Sequence, residues 1–270
     1  MVLNHGKLSR LMETAIVAAR LAGQRAMEEM DFVKASVKNE TEHVTHADLQ
    51  CQQVIVDRIK QAYPDHGFIA EEGGETGIFK QVPRGSEDIW WIIDPIDGTA
   101  NFVHGIPSFT VCVAAIHEGR PVVGAVFEPA TDSMFTAVVG GEAQLNSRRI
   151  APGEAKMDRF SSVGIDSYYN EGVPAWVCHV IQHTRSRNFG TTGLHLAYVA
   201  RGALVATVAA RPKLWDIAAG AVIVETAGAI VTGWKGEKLF PIDLQSYDGH
   251  EINTVAANKK VHKEILELLK

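Results

Sequence analysis

The stretch Trp90-Trp91-Ile92-Ile93-Asp94-Pro95-Ile96-Asp97-Gly98-Thr99-Ala100-Asn101-Phe102 runs from large apolar residues straight into two aspartates, with glycine and threonine behind them. The apolar residues read as a buried strand. Asp, Pro and Gly are ordinary turn residues, so one reading is a strand running into a turn. A sharper reading is a strand that delivers two carboxylates to the edge of a sheet, where they hold metal. Hard divalent cations such as Mg²⁺ take oxygen ligands, often a few carboxylates together with water and substrate phosphate. Pro95 stiffens the turn so that Asp94 and Asp97 can face one cavity, and the Ile96 carbonyl is free to become a ligand. Gly98 and Thr99, opening a helical turn, offer backbone N–H groups and a hydroxyl as a phosphate cradle. Carboxylates beside such a cradle repel phosphate unless cations sit between them. The competing reading, a Thr N-cap beside a helix-favouring Asp, needs neither ligand.

Further carboxylates stand at the ends of apolar runs: Asp48, the pair Glu71-Glu72, and Asp216. Asp216 after Trp215 also reads as a residue favoured at a helix N-terminus. Glu72 reads as a neighbour of the site or a solvated group, and Lys38, Arg185 and Arg187 as surface charges. The 11 histidines include no HxH or HExxH spacing, which argues against zinc, and His46 and His104 read as bystanders. Cys51, Cys112 and Cys178 are far apart and odd in number, which predicts three buried or semi-buried free thiols in a reducing compartment.

The 270 residues, 46% hydrophobic and 21% charged, suit an ordinary globular protein with a sizeable core. A net charge of −6 argues against a surface built mainly to grip nucleic-acid backbone, yet allows a phosphorylated substrate where cations invert the local sign. Glu13 and Arg20 break the N-terminal apolar stretch, so it reads as an amphipathic helix and not a leader. No long apolar run suggests a membrane span. The expected location is cytoplasmic.

The apolar spacing predicts helices over Leu8 to about Met30 and from a Thr45 cap to just before Pro64, the latter with Leu49, Val54, Ile55, Ile59 and Ala62 as its apolar positions. Phe68-Ile69-Ala70 reads as a short strand and Gly73 to Ser86 as a mobile loop. From Phe109 to Ile150 the runs TVCVAAI, PVVGAVF and SMFTAVV predict an antiparallel meander. Beyond it come a strand from Ser162 to Ile165, helices near 174–183 and 191–201, and a strand near 204–208. A helix from Trp215 to Thr226 with a Gly228 cap, a strand from Ile252 to Ala257 and a helix from Val261 to Leu269 complete the pattern. One unit in two approximate halves, 1–155 and 156–270, is expected.

At these residues the chain resembles the inositol monophosphatase family of metal-dependent, lithium-sensitive phosphatases. WIIDPIDGTANFVH looks like the family's first signature and WDIAAGAVIVETAGA, Trp215 to Ala229, like its second. VTHAD at Val44–Asp48, with Lys38 ten residues before its aspartate, and IAEEGGE at Ile69–Glu75 agree in order and spacing. The resemblance extends to the closing NTVAANKKVHKEILELL. It implies an α/β fold, a layered αβαβα sandwich of the inositol monophosphatase/fructose-1,6-bisphosphatase type, and a homodimer. It implies that Glu71, Asp94 and the Ile96 carbonyl hold a first Mg²⁺, that Asp94, Asp97 and Asp216 hold a second, and that Glu71 helps with a third. It further implies that Asp48 and Thr99 activate the attacking water. Asp97, Gly98, Thr99, Gly190, Thr191, Thr192 and Asp216 would contact the substrate.

The match departs from the pattern in three places. Ala100 replaces a second hydroxyl residue, a mild loss since Thr99 remains. Gly73 stands where a serine often follows the two glutamates, which predicts a looser loop. Six residues before Trp215, where animal-type relatives carry a glutamate that binds inositol hydroxyls, the chain has Ala209, followed by Ala210-Arg211-Pro212-Lys213. Alanine holds no hydroxyl, and Arg211 with Lys213 favours an anionic group. The expected reaction is hydrolysis of a small phosphate monoester, inositol monophosphate or a related sugar or polyol phosphate. Fructose 1,6-bisphosphate, histidinol phosphate, NADP and adenosine 3′,5′-bisphosphate are alternatives, as is a non-catalytic binding module. The expected partners are a small phosphate ester and a second copy of the chain, with no nucleic acid and no membrane.

Overall fold

The computed structural model describes residues 3–30, 35–39, 42–73, 77–169 and 172–270, with the side chains of 35–39 and 42–45 outside that description. Glu75, and the side chains of Lys38 and of Thr45, expected as a helix cap, therefore fall outside it. Helix α1 (His5–Glu29) leads to a hairpin of β1 (Ala35–Asn39) and β2 (Glu42–Thr45), then to α2 (His46–Ala62). Eight strands form the first large sheet: β3 (Gly67–Ala70), β4 (Phe79–Gln81), β5 (Ile89–Asp97), β6 (Thr110–His117), β7 (Arg120–Glu128), β8 (Ser133–Val138), β9 (Gln144–Leu145) and β10 (Arg148–Arg149). The short helix α3 (Thr99–Val103) follows β5 directly. The rest of the chain supplies β11 (Ser162–Gly164), α4 (Ala175–His183), β12 (Arg185–Arg187), α5 (Thr192–Ala200), β13 (Ala206–Ala209), α6 (Leu214–Ala227), β14 (Ile230–Gly233), β15 (Thr254–Ala257) and α7 (His262–Leu268).

The first sheet has the order β10-β9-β8-β7-β6-β5-β3-β4 and is antiparallel except where β3 runs parallel to β5. The second has the order β12-β11-β13-β15-β14, with β11 parallel to both neighbours. The meander expected over 109–150 is present as β6 to β8, and the short strands β9 and β10 extend it to the edge of the sheet.

Strand β5 is buried at all nine positions, and the reason lies in what covers its two faces. Trp90 and Ile92 join a cluster with Leu196 of α5 and Ala218 and Val222 of α6. Ile89, Trp91 and Ile93 join another with Leu11 and Ala15 of α1 and Ile55 and Ile59 of α2. A strand with helices on both faces has no polar side to show, hence the unbroken apolar run. Helix α6 is apolar all round for the same reason. It lies in one cluster with residues of the first sheet and with Val231 and Ala256 of the second. A third cluster packs Val163, Val208 and Val255 against Val177 and Val180 of α4 and Ile265 of α7. The layers are therefore α1/α2, first sheet, α5/α6, second sheet, α4/α7, the αβαβα sandwich.

Side-chain capping fixes the start of α1, where Asn4 accepts a hydrogen bond from the Lys7 amide at 2.9 Å. Half of the buried residues of α1 are alanine, and at Gly23 an added Cβ would meet the Phe127 ring at 2.6 Å, so this helix lies close on β7. Gly228, in the left-handed region at φ 97°, caps α6 as expected.

Several expectations need correction. Helix α2 buries Ala47, Asp48, Cys51, Gln52, Ile55, Val56 and Ile59, while Leu49 is exposed, because the polar side chains inside it serve the site described below. The segment expected as a loop from Gly73 to Ser86 carries the edge strand β4. Cys51 and Cys112 are buried, but Cys178 is exposed on the outer helix α4. Among the described residues no helix is long and apolar enough to cross a membrane.

Candidate metal and phosphate site

The two aspartates of β5 are three residues apart, which in an unbroken strand would point them to opposite faces. The ladder with β6 removes that difficulty. Asp94 pairs with Cys112 and Asp97 with Thr110, so three steps on β5 match two on β6. The extra residue is a β-bulge, a device that re-aims side chains. The expected turn at Pro95 is thus a bulged continuation of the strand, and proline is tolerated there because a bulge frees it from donating to the ladder. Asp94 and Asp97 meet Asp216 from the first turn of α6, and each of the three offers an oxygen within 4.8 Å of the others.

Each of these carboxylates has an oxygen anchored by the protein. Asp94 Oδ1 accepts from the Ile96 amide at 3.1 Å, and Asp216 Oδ2 from the Lys213 amide at 2.6 Å. Asp97 is held most firmly. Its Oδ2 accepts from the Thr191 hydroxyl at 2.5 Å, the Gly193 amide at 2.6 Å and the Thr110 hydroxyl at 3.1 Å, and its Oδ1 from the Thr192 amide at 3.2 Å. Asp94 and Asp216 are each anchored through one oxygen, while Asp97 is anchored through both, with Oδ1 taking a single donor; supporting groups of this kind orient ligands to a cation.

Crowding makes the cluster electrostatically costly. Burial, followed by the neighbouring charges of Glu71, Asp97 and Asp216, pushes the Asp94 carboxyl far above its ordinary range. Burial also raises Asp97, against the hydrogen bonds from α5 and Thr110 that pull it down. Asp216 is pushed up to about 7, by burial first and then by Asp97. Buried carboxylates so placed must share protons or share cations. All the donors are hard oxygens, so the set fits Mg²⁺ or a similar cation and suits softer metals poorly.

Two groups complete this end of the site. The Thr99 hydroxyl lies 3.1 Å from the Ile96 carbonyl and 3.4 Å from Asp48 Oδ1, and its single proton can serve one of them at a time. Asp48 sits in the first turn of α2, where an acidic side chain suits the helix dipole. Glu71 is half-buried at the end of β3, close enough to be the leading charge acting on Asp94, but it is not part of the three-carboxylate cluster. Glu72 is buried, not solvated. Its amide donates to Gln52 Oε1 at 2.9 Å and its carbonyl accepts from Gln52 Nε2 at 2.6 Å. At Gly73 a Cβ would lie 2.0 Å from the Ile78 carbonyl carbon, so serine could not fit without moving the backbone; the expected looser loop continues into 74–76, which lie outside the described residues.

Gly98 and Gly190 bring the two loops of the site together. Both lie in the left-handed region, at φ 106° and 72°, and a Cβ on Gly190 would meet Asn101 Nδ2 at 2.3 Å. Asn101 Nδ2 instead donates to the Ser108 and Phe189 carbonyls at 2.6 and 2.7 Å. Gly193 is constrained in the same way, since a Cβ would lie 2.5 Å from Cys112 Sγ and 2.9 Å from Asp97 Oδ2. Gly193→Ala is expected to cost about 1–3 kcal/mol, the usual range for overpacking, and to weaken Mg²⁺ binding, both read by thermal unfolding with and without Mg²⁺.

Asp97, Gly190, Thr191 and Thr192 border a cavity of about 210 Å³ that is also lined by Asp166, Asn188, His195 and Arg211. None of those four was marked by sequence reasoning except Arg211. Asp166 had a signal: Val163-Gly164-Ile165-Asp166 repeats the theme of an apolar run ending in aspartate, at the carboxyl end of a strand flanked by parallel neighbours, where ligands commonly bind. Burial pushes the Asp166 carboxyl up to about 6, opposed by the Ala210 amide and Arg211. His195 is buried and neutral near pH 7, its imidazolium disfavoured by burial, and Nε2 accepts from the Phe189 amide at 3.0 Å. Ala209 is buried within β13, and Lys213 lies 3.9 Å from Glu251, so Arg211 alone of that segment's cations borders the cavity.

Comparison with known proteins follows the same lines. The chain is 35% identical over 269 residues to the Nus factor SuhB of Pasteurella multocida, with 96% of this chain and 95% of the relative covered. The extragenic suppressor protein suhB of Bartonella henselae superposes with a TM-score of 0.86 at 29% identity, over 97% of this chain and 98% of that one. The IMPase of Thermotoga maritima superposes with a TM-score of 0.83 at 32% identity, over 95% of each chain. The family model for inositol monophosphatases matches residues 7–270, and the chain belongs to the inositol monophosphatase family.

Proposed function

We propose that this protein hydrolyses a small phosphate monoester with the help of Mg²⁺. The observation that carries the reading is the three-carboxylate cluster of Asp94, Asp97 and Asp216 with the Thr99–Asp48 pair beside it. Glu71, the three aspartates and the Ile96 carbonyl are the groups that would hold two or three cations. Bound there, divalent cations offset phosphate charge and acidify water, the chemistry that an uncatalysed monoester lacks.

The chain's own residues supply orientation and proton transfer. With its proton directed to Asp48, the Thr99 oxygen is free to accept a hydrogen bond from a water and orient it, and Asp48 takes up the proton through Thr99. The Gly98 and Thr99 amides receive phosphate oxygens, and Asp97 with Thr191 and Thr192 positions the leaving group on the far side. The same reading extends to a homodimer in the cytoplasm, in line with the family resemblance.

The test is phosphate release from a panel of monoesters. Release is expected with about 5 mM Mg²⁺ and is expected to vanish in EDTA and return on adding Mg²⁺. Release that survives EDTA overturns the reading. Cation binding without any release points instead to a binding module, the alternative that the name Nus factor, carried by relatives, brings forward.

A further inference from the structure

The cavity beyond Asp97 has a wall whose chemistry the hydrolytic step does not use. Arg211 stands there in the left-handed region at φ 64°, a conformation that side chains larger than glycine rarely adopt. Three hydrogen bonds impose it. The Ala210 amide donates to Asp166 Oδ2 at 2.6 Å, the Arg211 amide to Asn253 Oδ1 at 2.8 Å, and the Ile252 amide to the Pro212 carbonyl at 2.7 Å. Strain maintained in this way tends to gather where side chains are posted for ligands. The Arg211 side chain is exposed at the cavity and has no ion pair or hydrogen-bond partner for its guanidinium among the described residues.

Around that guanidinium the cavity is rich in donors. Asn188 uses Oδ1 to accept from the Gly190 amide at 2.7 Å, which leaves its NH₂ to donate. Ser167 and Tyr168 add exposed hydroxyls. Asp166 is the single carboxylate on this wall, with one oxygen held by Ala210 and one left to accept a hydroxyl proton. A guanidinium with several neutral donors suits a group with many acceptor oxygens, which means phosphate or carboxylate. Asp97, which also lines this cavity, belongs to the carboxylate cluster, so one cavity is shared by the candidate cation site and Arg211. At about 210 Å³ it is smaller than the roughly 300 Å³ at which drug-sized sites begin. That favours a sugar-sized moiety over a dinucleotide.

Resting on the phosphatase reading above, we infer that Arg211, assisted by Asp166, is the specificity determinant of this site and takes a second anionic group carried by a hydroxylated leaving group. Substrates with one phosphate and no other anion leave the guanidinium unpaired.

The experiment compares pairs that differ only in the second anion: fructose 1,6-bisphosphate against fructose 1-phosphate, and 2-phosphoglycerate against glycerol 2-phosphate. Wild-type kcat/KM is expected to favour the doubly anionic member of at least one pair by about tenfold or more, the scale of one charge-assisted contact. The preferred pair tells phosphate from carboxylate. Arg211→Gly removes the guanidinium and suits the φ of 64° better than arginine does, so its melting temperature is expected to equal or exceed that of the wild type. In this variant kcat/KM for the doubly anionic substrate is expected to fall about 10- to 100-fold, mainly through KM, and that for its singly anionic partner less than threefold. Arg211→Lys is expected to restore part of the difference. A wild-type ratio near one in both pairs, or a ratio that Arg211→Gly leaves unchanged, overturns the inference. Where no ester is turned over, calorimetry with fructose 1,6-bisphosphate and 2-phosphoglycerate in Mg²⁺ reads the same wall by binding. If no ester is hydrolysed, the phosphatase reading fails by itself. Binding of either ligand that weakens tenfold in Arg211→Gly still supports the inference, and its absence or indifference to the substitution overturns it.

Discussion

Asp94→Asn is expected to reduce phosphate release by about a thousandfold or more while making the cation-free protein more stable. The charges of Glu71, Asp97 and Asp216 all act on Asp94. Losing a carboxylate that would hold two cations removes several kcal/mol of transition-state stabilisation, and each 1.36 kcal/mol is about tenfold in rate. Without cations the same carboxylate is a liability. The carboxyls of Asp94, Asp97 and Asp216 all lie above their ordinary range, Asp216 at about 7. Between the ordinary carboxyl range and these raised values the folded protein keeps protons that the unfolded chain has released. Stability of the cation-free protein is therefore expected to fall as pH rises from about 4 to about 7. The amide introduced by Asp94→Asn is neutral at every pH, so that slope is expected to be shallower in the variant. Melting temperatures between about pH 4.5 and 8 in EDTA, for wild type and variant, check the stability half. A wild-type protein equally stable across that range, or a variant that retains activity within tenfold, contradicts the account.

Thr99→Val is expected to lower kcat by about 10²- to 10⁴-fold, the contribution usual for a positioned acid–base group. Valine keeps the shape and loses the hydroxyl that lies between Asp48 and the Ile96 carbonyl. Cation binding should weaken far less, because no cluster carboxylate is changed. Asp48→Asn should resemble Thr99→Val in kcat, and the double variant should fall no further than either alone, since the two residues act as one relay. Single-turnover phosphate release at saturating Mg²⁺ checks this. Independent, multiplying losses would separate the two residues and break the relay.

The central features of this fold were legible because the sequence repeats its instructions at several levels. The unbroken apolar run of β5 marked a buried strand, and apolar spacing marked α1 and α2 as helices with one covered face. Loop chemistry gave the meander β6–β8 and the Gly228 cap. What escaped was set by partners distant in sequence. β9, β10 and β12 are two or three residues long, and the Arg-Ser-Arg of β12 is an edge whose exposed side chains look like loop. β14 follows Gly228 too closely to show a period of its own. At the site, carboxylates could be marked one by one, but the bulge that brings Asp94 and Asp97 to one side depends on pairing with Cys112 and Thr110. The anchoring of Asp97 by Thr191, Thr192 and Gly193 joins positions more than ninety residues apart. No local pattern encodes such a contact. Asp166 was missed for a lesser reason, a three-residue strand too short to draw attention to the aspartate beyond it.

The two-sided burial of β5 also bears on how variants of this chain fail. Ile89-Trp90-Trp91-Ile92-Ile93 carries no charge, glycine or proline, and in an unfinished chain such a segment can stack with copies of itself into cross-β aggregates. In the finished protein its two edges are occupied by β3 and β6. Glu87 and Asp88 precede the segment and Asp94 and Pro95 follow it, charges and a ring that interrupt self-stacking on either side. Asp94, one of the carboxylates of the candidate cation site, thus has a second use as a gatekeeper during synthesis. Substitutions that open this sheet will be recognised by insoluble protein before any loss of turnover can be measured.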